Sequence, residues 1–225
     1  MSCIKIVGAL NCPYCQHAAI KYGRVCSKQR YRCKICKRTF MNIYTNNAYH
    51  VTINKNIVDH LRKGCGIRSI ARLLCISANT VMRRIKIIAS KINRPALTTR
   101  GVYEVDELKT YVESKNNPCW VICGFDRQNK QIVDIKVGKR TKANLRSLID
   151  TLLLSQCASI YTDRLNIYKQ IIPSTLHKVG RYGTNRIERS SLTFRTHLKR
   201  LGRKTICYSK SIIMLEACLK IYFWV

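Results

Sequence analysis

Apolar residues recur three and four positions apart through residues 57–92, in the stretch IVDHLRKGCGIRSIARLLCISANTVMRRIKIIASKI. That spacing places them on one face of a helix. Gly64 and Gly66 interrupt the pattern, and Ser77 stands where the N-cap of a later helix belongs. The stretch predicts an all-α helix-turn-helix domain over residues 46–93, whose last helix spans residues 78–91.

Beyond residue 101 the helical spacing gives way to shorter, strand-like apolar runs. In order, the pattern predicts strands at 102–108, 118–126 and 131–138, a helix over 142–154, a strand at 158–163, a helix near 166–172, a strand near 177–180, and helices over 185–200 and 210–223. The order βββαβαβα is typical of a mixed sheet flanked by helices. We therefore predict an α/β domain over residues 101–225, joined to the helical domain by a linker over residues 94–100.

Two Cys-x2-Cys pairs lie near the N-terminus, and 17 residues separate Cys12 and Cys15 from Cys33 and Cys36. Four thiolates at this spacing are typical of a zinc ribbon. The sequence therefore predicts a small zinc ribbon over residues 1–45 that holds one structural Zn²⁺. The alternative is four buried thiols without a metal. The total of 13 Cys is odd, which fits reduced thiols better than a disulfide framework.

The chain carries 42 Lys and Arg against 11 Asp and Glu, a formal net charge of +31. Such an excess repels itself unless a polyanion is the working partner, with nucleic acid as the first expectation and an anionic membrane as the second. No apolar run is long enough to predict a membrane span. The apolar N-terminal patch lacks a cleavage-site pattern, so we interpret it as part of the fold rather than a signal peptide. We therefore expect double-stranded DNA as partner, and no membrane.

The predicted helix-turn-helix would contact the DNA major groove through polar and basic side chains at the start of its last helix. These candidates are Ser77, Asn79, Thr80, Arg83, Arg84 and Lys86. The alternative is an ordinary three-helix bundle with a solvated basic face. The neighbouring basic zinc ribbon favours DNA binding.

Acidic residues are concentrated in the second half, because residues 1–100 hold only Asp59 while residues 101–225 hold the other ten. Three of the ten stand out by position. Asp106 lies on the first predicted strand of the α/β domain, Asp163 ends the strand at 158–163, and Glu188 begins a strongly basic helix without a basic residue three or four positions away. Phosphodiester chemistry on nucleic acid uses two divalent cations held by such carboxylates.

Each of these acids also has a simpler interpretation. Asp106 has rivals in Glu104 and Glu107 on the same strand, and any of the three is compatible with a solvated charge at a strand edge. Asp163 would equally serve to end a strand, and Glu188 would be favoured by the dipole at a helix N-terminus. The combination, in this order and on this topology, favours a shared metal site.

Together these stretches resemble a transposase of the small bacterial insertion-sequence-one family. The matching pieces are CPYC, CKIC, GIRSIARLLCISANTVMRRIK, VDELKTYV, IYTDRLNIY and RIERSSLTFRTHLKRLGRKTICYSKSI. The resemblance implies a ribonuclease-H-like catalytic domain whose Asp-Asp-Glu triad is Asp106, Asp163 and Glu188, with two Mg²⁺ or Mn²⁺ ions per active site. The 24 residues between the last two agree with the family, while Arg164 and Ser191 depart from its usual residues.

The family implies a DNA transposase that cleaves insertion-element ends and transfers the freed 3′ hydroxyls to target DNA. Five basic residues on and after the Glu188 helix would neutralise substrate phosphates, namely Arg189, Arg195, Arg200, Arg203 and Lys204. We expect a homo-oligomer on DNA, no small-molecule substrate, and a nucleoid-associated place in the bacterial cytoplasm. Two alternatives stay open: a decayed, non-catalytic DNA-binding regulator, and a ribonuclease-H-like nuclease that cuts without strand transfer.

Overall fold

The computed structural model of the protein describes residues 4–5, 11–41, 43–180, 182–202 and 204–225. Short strands make up the N-terminal part: β1 (Ile4–Lys5), β2 (Ala19–Val25), β3 (Lys28–Cys33), β4 (Thr39–Met41) and β5 (Ile43–Tyr44). Strands β2, β3 and β4 form an antiparallel sheet, and β1 pairs with β5. Tyr31 stacks on Phe40 beside buried Cys12 and Cys33, so the core of this part is small.

Three helices follow: α1 (Ile53–Arg62), α2 (Ile67–Leu73) and α3 (Ala78–Ser90). The Ser77 hydroxyl caps α3 by accepting a hydrogen bond from the backbone N–H of Thr80 at 3.1 Å, so the helix begins where the sequence predicts. Ile57, Ile70 and Ile85, at the predicted apolar positions, are fully buried between the helices.

A mixed sheet fills most of the second half. Its strands are β6 (Val102–Val112), β7 (Ser114–Asp126), β8 (Gln131–Gly138), β9 (Ser159–Thr162) and β10 (His177–Val179), in the spatial order β10-β9-β6-β7-β8. Strand β7 is antiparallel to both of its neighbours, β6 and β8, whereas β9 runs parallel to both β6 and β10. The flanking helices are α4 (Lys142–Leu153), α5 (Asn166–Ile171), α6 (Asn185–His197) and α7 (Ile212–Trp224). The predicted mixed sheet flanked by helices is confirmed.

Alternating residues of β6, the central strand, face opposite sides of the sheet. Tyr103 and Val105 belong to the core beneath α4 and α5, while Leu108 belongs to the core beneath α6 and α7. The β6–β7 hairpin extends beyond the predicted strands, to Val112 on β6 and from Ser114 on β7. This extension packs on the rest of the fold, because Val112 is buried and the Thr110 hydroxyl donates to the Arg200 carbonyl at 2.7 Å. Helix α6 ends at residue 197 rather than 200, where a short 3-10 helix, Lys199–Leu201, takes over.

Helix α7 packs against both halves of the chain. Leu215 and Leu219 lie in the core of the sheet, while Met214, Cys218 and Ile221 lie in the core of the three helices. Burial on opposite sides explains why this helix is apolar all round rather than amphipathic. The domain boundaries at residues 45, 93 and 100 stay predictions, and the last helix contributes to two cores. Among the described residues, none of the helices has the length and apolar character that a membrane crossing requires.

Candidate active site and metal centre

Two of the predicted catalytic acids stand side by side on neighbouring parallel strands. Glu104 of β6 is opposite Tyr161 of β9, so two residues further along both strands Asp106 stands level with Asp163, which directly follows β9. Residues two apart share a face of the sheet, so Asp106 lies on the same face as Glu104. Helix α6 covers that face, because the Glu104 carboxylate accepts a hydrogen bond from the backbone N–H of Ile187.

The third acid, Glu188, lies in the first turn of α6. Its Oε1 accepts a hydrogen bond from Thr184 Oγ1 at 2.7 Å, which directs the carboxylate from within its own helix turn. Asp163 Oδ1 accepts from the backbone N–H of Leu165 at 3.0 Å. Both acids are exposed, whereas Asp106 between them is partly buried. The site is therefore a group of three carboxylates of which Asp163 and Glu188 are open to solvent.

Electrostatics show that the three carboxylates influence one another. The pKa of Asp106 is raised to about 6, mainly by burial and also by the negative charges of Glu107, Glu188 and Asp163, against the lowering effect of the Glu107 backbone N–H. Within the described part of the chain, no Lys or Arg forms an ion pair with any of the three acids. Among the described side chains, their negative charge therefore has no ion-pair partner.

The acids face one another without forming a tight cluster. Within the described ranges, four cysteines are the only set of three or more Cys, His, Asp or Glu ligand atoms that all lie within 4.8 Å of one another.

The rival acids on β6 have other partners. The Glu107 carboxylate points to the opposite face, where it accepts from the Tyr168 hydroxyl at 2.8 Å and pairs with Arg140 at 3.3 Å. Glu104 is fully buried and forms an ion pair with Arg127 at 2.7 Å. Asp106 differs from these two acids, because it has no such partner among the described side chains.

Arg127 lies in the turn between β7 and β8, and no sequence pattern singles it out. Its Nε donates to Glu104, its Nη2 donates to the Gly183 carbonyl, and its guanidinium lies 3.7 Å from the centre of the Tyr161 ring. These partners lie on the strand of Asp106, on the strand that precedes Asp163, and just before the helix of Glu188. The sequence carries a weak signal for this network, namely an acid at an inward-facing position of a central strand.

Two of the basic residues predicted to contact substrate phosphates make hydrogen bonds within the chain. Arg195 donates to the carbonyl of Leu201 at 3.0 Å, and Arg200 donates to the Ser209 hydroxyl at 2.8 Å. These contacts fix the turn after α6 against the sheet. Arg189 and Lys204 are exposed. Arg203 lies outside the described residues.

The DNA-binding candidates at the start of α3 also include residues bonded within the chain and residues that are exposed. Ser77 and Thr80 bond to each other at the cap, at 2.8 Å between their hydroxyls, and Arg84 is partly buried and donates to the Ala48 carbonyl at 3.0 Å. Asn79, Arg83 and Lys86 are exposed, as is the capping Ser77. The exposed face of α3 therefore offers an amide and two cations.

The four predicted cysteine ligands converge. The sulfur atoms of Cys12 and Cys36 are 3.5 Å apart, those of Cys15 and Cys33 are 3.4 Å apart, and all four lie within 4.8 Å of one another. A tetrahedral ion with Zn–S bonds of about 2.3 Å places its sulfurs about 3.8 Å apart, within this range. The donor set therefore fits one metal ion.

The backbone around the cluster favours a thiolate. Burial raises the pKa of Cys33, but the backbone N–H groups of Cys36 and Ile35 and the Cys15 thiol lower it to about 6. The Cys36 N–H lies 3.4 Å from the Cys33 sulfur. Since the thiolate is the form that binds metal, this contact prepares the cluster for an ion. Cys26, the extra thiol of this region, is exposed and outside the cluster.

Comparison with known proteins gives relatives for the second half of the chain. The chain is 36% identical over 109 residues to insertion element IS1 protein InsB of Shigella flexneri, covering 48% of this chain and 83% of that protein. It is 37% identical over 109 residues to insertion element IS1 2 protein InsB of Escherichia coli K12, covering 65% of that protein. It is 33% identical over 115 residues to insertion element iso-IS1n protein InsB of Shigella dysenteriae, covering 88% of it.

Among solved structures, a chain from the cryo-EM structure of the simian T-cell lymphotropic virus intasome with PP2A regulatory subunit B56 gamma superposes with a TM-score of 0.40 and 13% identity. The superposition covers 72% of this chain and 66% of that one, a likeness too low to support a functional conclusion. The family model described as IS1 transposase matches residues 101–224, which span the whole mixed sheet and its helices. The protein belongs to the IS1 transposase family.

Proposed function

We propose that this protein is a DNA transposase that cleaves insertion-element ends and transfers the freed 3′ hydroxyls to target DNA. Membership of the IS1 transposase family supports the reaction class. The observation that carries the proposal is the parallel pairing of β6 with β9, whose last paired residues stand two positions before Asp106 and two before Asp163. Helix α6 carries Glu188, and no ion pair among the described residues involves any of the three acids. The strand order β10-β9-β6-β7-β8 agrees with the expected ribonuclease-H-like fold.

The three carboxylates suit divalent cations. Hard ions such as Mg²⁺ or Mn²⁺ prefer carboxylate oxygens and keep part of their water shell. A group of acids that is partly open to solvent meets both requirements. A bound pair of such ions would activate the attacking oxygen and stabilise the leaving oxygen at phosphorus. The raised pKa of Asp106 reflects negative charge that such ions would neutralise.

In this reaction the chain supplies orientation and charge rather than a nucleophile, since water and then a DNA 3′ oxygen attack phosphorus. Thr184 directs Glu188 from within α6, and the Leu165 N–H holds Asp163 at the end of its strand. Arg189 follows Glu188 directly and is exposed, so it is well placed to contact a substrate phosphate.

DNA binding by the first half of the chain is the second part of the proposal. Helix α3 offers Asn79, Arg83 and Lys86 on its exposed face, which supports a role as the recognition helix of a helix-turn-helix. The net charge of +31 supports double-stranded DNA as the partner. Two element ends must react together, so we further propose a homo-oligomer on DNA in the bacterial cytoplasm, and one structural Zn²⁺ in the cysteine cluster.

Replacing Glu188 with Gln tests the catalytic proposal. The amide keeps the size of the side chain but removes its charge, so cleavage of labelled element ends in Mg²⁺ should fall by at least about 100-fold. Binding of the same ends should be unchanged. Glu216→Gln is the matched control, because Glu216 is a surface acid of α7 paired with Lys220, and it should cleave as the wild type does.

Wild-type products in the same assay decide between the alternatives. Joining of labelled ends to target DNA supports the transposase, whereas cutting without joining indicates a nuclease. End binding without any cutting by the wild type indicates a non-catalytic regulator. Full cleavage by Glu188→Gln would refute the triad.

The pH dependence of the unfolding free energy tests whether the pKa of Asp106 is raised in the folded protein. The pKa of Asp106 is about 6 in the folded protein and near 4 in an unfolded chain, so its ionisation destabilises the metal-free protein progressively as pH rises between these values. Asp106→Asn should therefore raise the unfolding free energy at pH 7.5 by roughly 1–3 kcal/mol without added Mg²⁺. The gain should shrink at pH 4.5, as followed by urea unfolding. An equal effect at both pH values would contradict this account.

Thiol substitutions test the zinc proposal. Cys33→Ser removes a buried sulfur of the cluster, so the purified protein should lose its one Zn²⁺ per chain, measured by elemental analysis. Its N-terminal part should then become sensitive to trypsin, because little apolar core remains to hold it. Cys26→Ser is the control and should retain the ion. Equal zinc content in both variants would exclude the cluster as the site.

A further inference from the structure

We propose that the buried ion pair between Glu104 and Arg127 is a positioning device that sets the three proposed catalytic acids relative to one another. The inference rests on the proposed function, because it assigns a role toward those acids. Neither residue belongs to the triad. The pair acts through the backbone segments that carry it.

Glu104 connects the central strand to the helix of the third acid. Its Oε2 accepts from the Ile187 N–H at 2.9 Å, and Ile187 directly precedes Glu188. Its Oε1 pairs with Arg127, and Glu104 itself stands two residues before Asp106 on β6. One carboxylate therefore links the backbone near two of the acids.

Arg127 extends this link to the strand that leads to the remaining acid, Asp163. Its guanidinium lies over the ring of Tyr161, two residues before Asp163, at 3.7 Å from the ring centre. It also donates to the Gly183 carbonyl in the turn that leads into α6, and its own carbonyl accepts from Arg186 Nη1 at 3.3 Å. The same side chain thus contacts β6, β9 and the approach to α6.

The chemistry of the pair suits positioning better than stabilisation. Glu104 is fully buried, and burying two charges gains little net stability over apolar side chains of equal volume. What the pair gains is direction, because the planar guanidinium binds a carboxylate, a carbonyl and a ring face at fixed angles. A lysine has one flexible ammonium and would not hold these three partners together.

The test is the double variant Glu104→Gln with Arg127→Met, in the full chain. It removes both buried charges, and Gln keeps an oxygen for the Ile187 N–H, so the fold should survive. The Mg²⁺ concentration for half-maximal end cleavage should rise about 10–100-fold, as when the groups that orient metal ligands are lost. The thermal shift caused by Mg²⁺ should shrink, while binding of element ends stays unchanged.

The matched control removes another ion pair with a buried acid, at the edge of the sheet. Arg94→Met with Asp134→Asn deletes a pair at 3.1 Å between the linker and β8, two strands away from β6. Asp134 is 2% exposed, so the charge removed is as deeply buried as Glu104. This variant should keep the wild-type response to Mg²⁺.

A single substitution keeps the proposal testable if the double variant fails to fold. Arg127→Lys retains the positive charge beside Glu104 but not the fork of donors, and it should show the same raised Mg²⁺ requirement. A wild-type Mg²⁺ response in Arg127→Lys, or in the folded double variant, overturns the positioning role. A wild-type protein that never cleaves, or whose Glu188→Gln form cleaves fully, instead overturns the proposed function.

Discussion

A buried carboxylate on the central strand constrains the architecture of the second half. Glu104 is fully buried, so it requires a counter-charge and hydrogen-bond donors from within the fold. Arg127 and the Ile187 N–H meet that requirement, and they come from the β7–β8 turn and from α6. Meeting it brings together the strand of Asp106 and the helix of Glu188. The three proposed catalytic carboxylates lie beside this junction, and none of them forms an ion pair with a described Lys or Arg.

The charge distribution also acquires a structural explanation. A chain with a net charge of +31 nevertheless keeps three carboxylates that form no ion pair with a described Lys or Arg. Some of its basic residues are engaged with carbonyls and hydroxyls, as Arg195 and Arg200 are in the turn after α6. Others, such as Arg83 and Arg189, are exposed. The three acids thus attract cations. The exposed basic residues attract a polyanion.

Much of this organisation follows from the sequence. Cysteine spacing predicts the cluster, the Ser77 cap predicts the start of α3, and the order of apolar runs predicts the mixed sheet. The roles of individual charges do not follow from the sequence, because Glu104 and Asp106 are both acids of the same strand and share one face of the sheet. Their partners come from residues 127 and 187, which no local pattern connects to β6. The dual packing of α7 is equally non-local: uniform apolarity predicts burial but not which surfaces cover the helix.

Counting bound ions tests the central claim most directly, because the account places two divalent cations among Asp106, Asp163 and Glu188. The measurement is Mn²⁺ binding to the wild type in complex with element-end DNA, followed by electron paramagnetic resonance of the free ion. The account predicts two bound Mn²⁺ per chain in the wild type and a loss of tight binding in Asp163→Ala. The same stoichiometry in Asp163→Ala, or no tight Mn²⁺ in the wild-type complex, would contradict it.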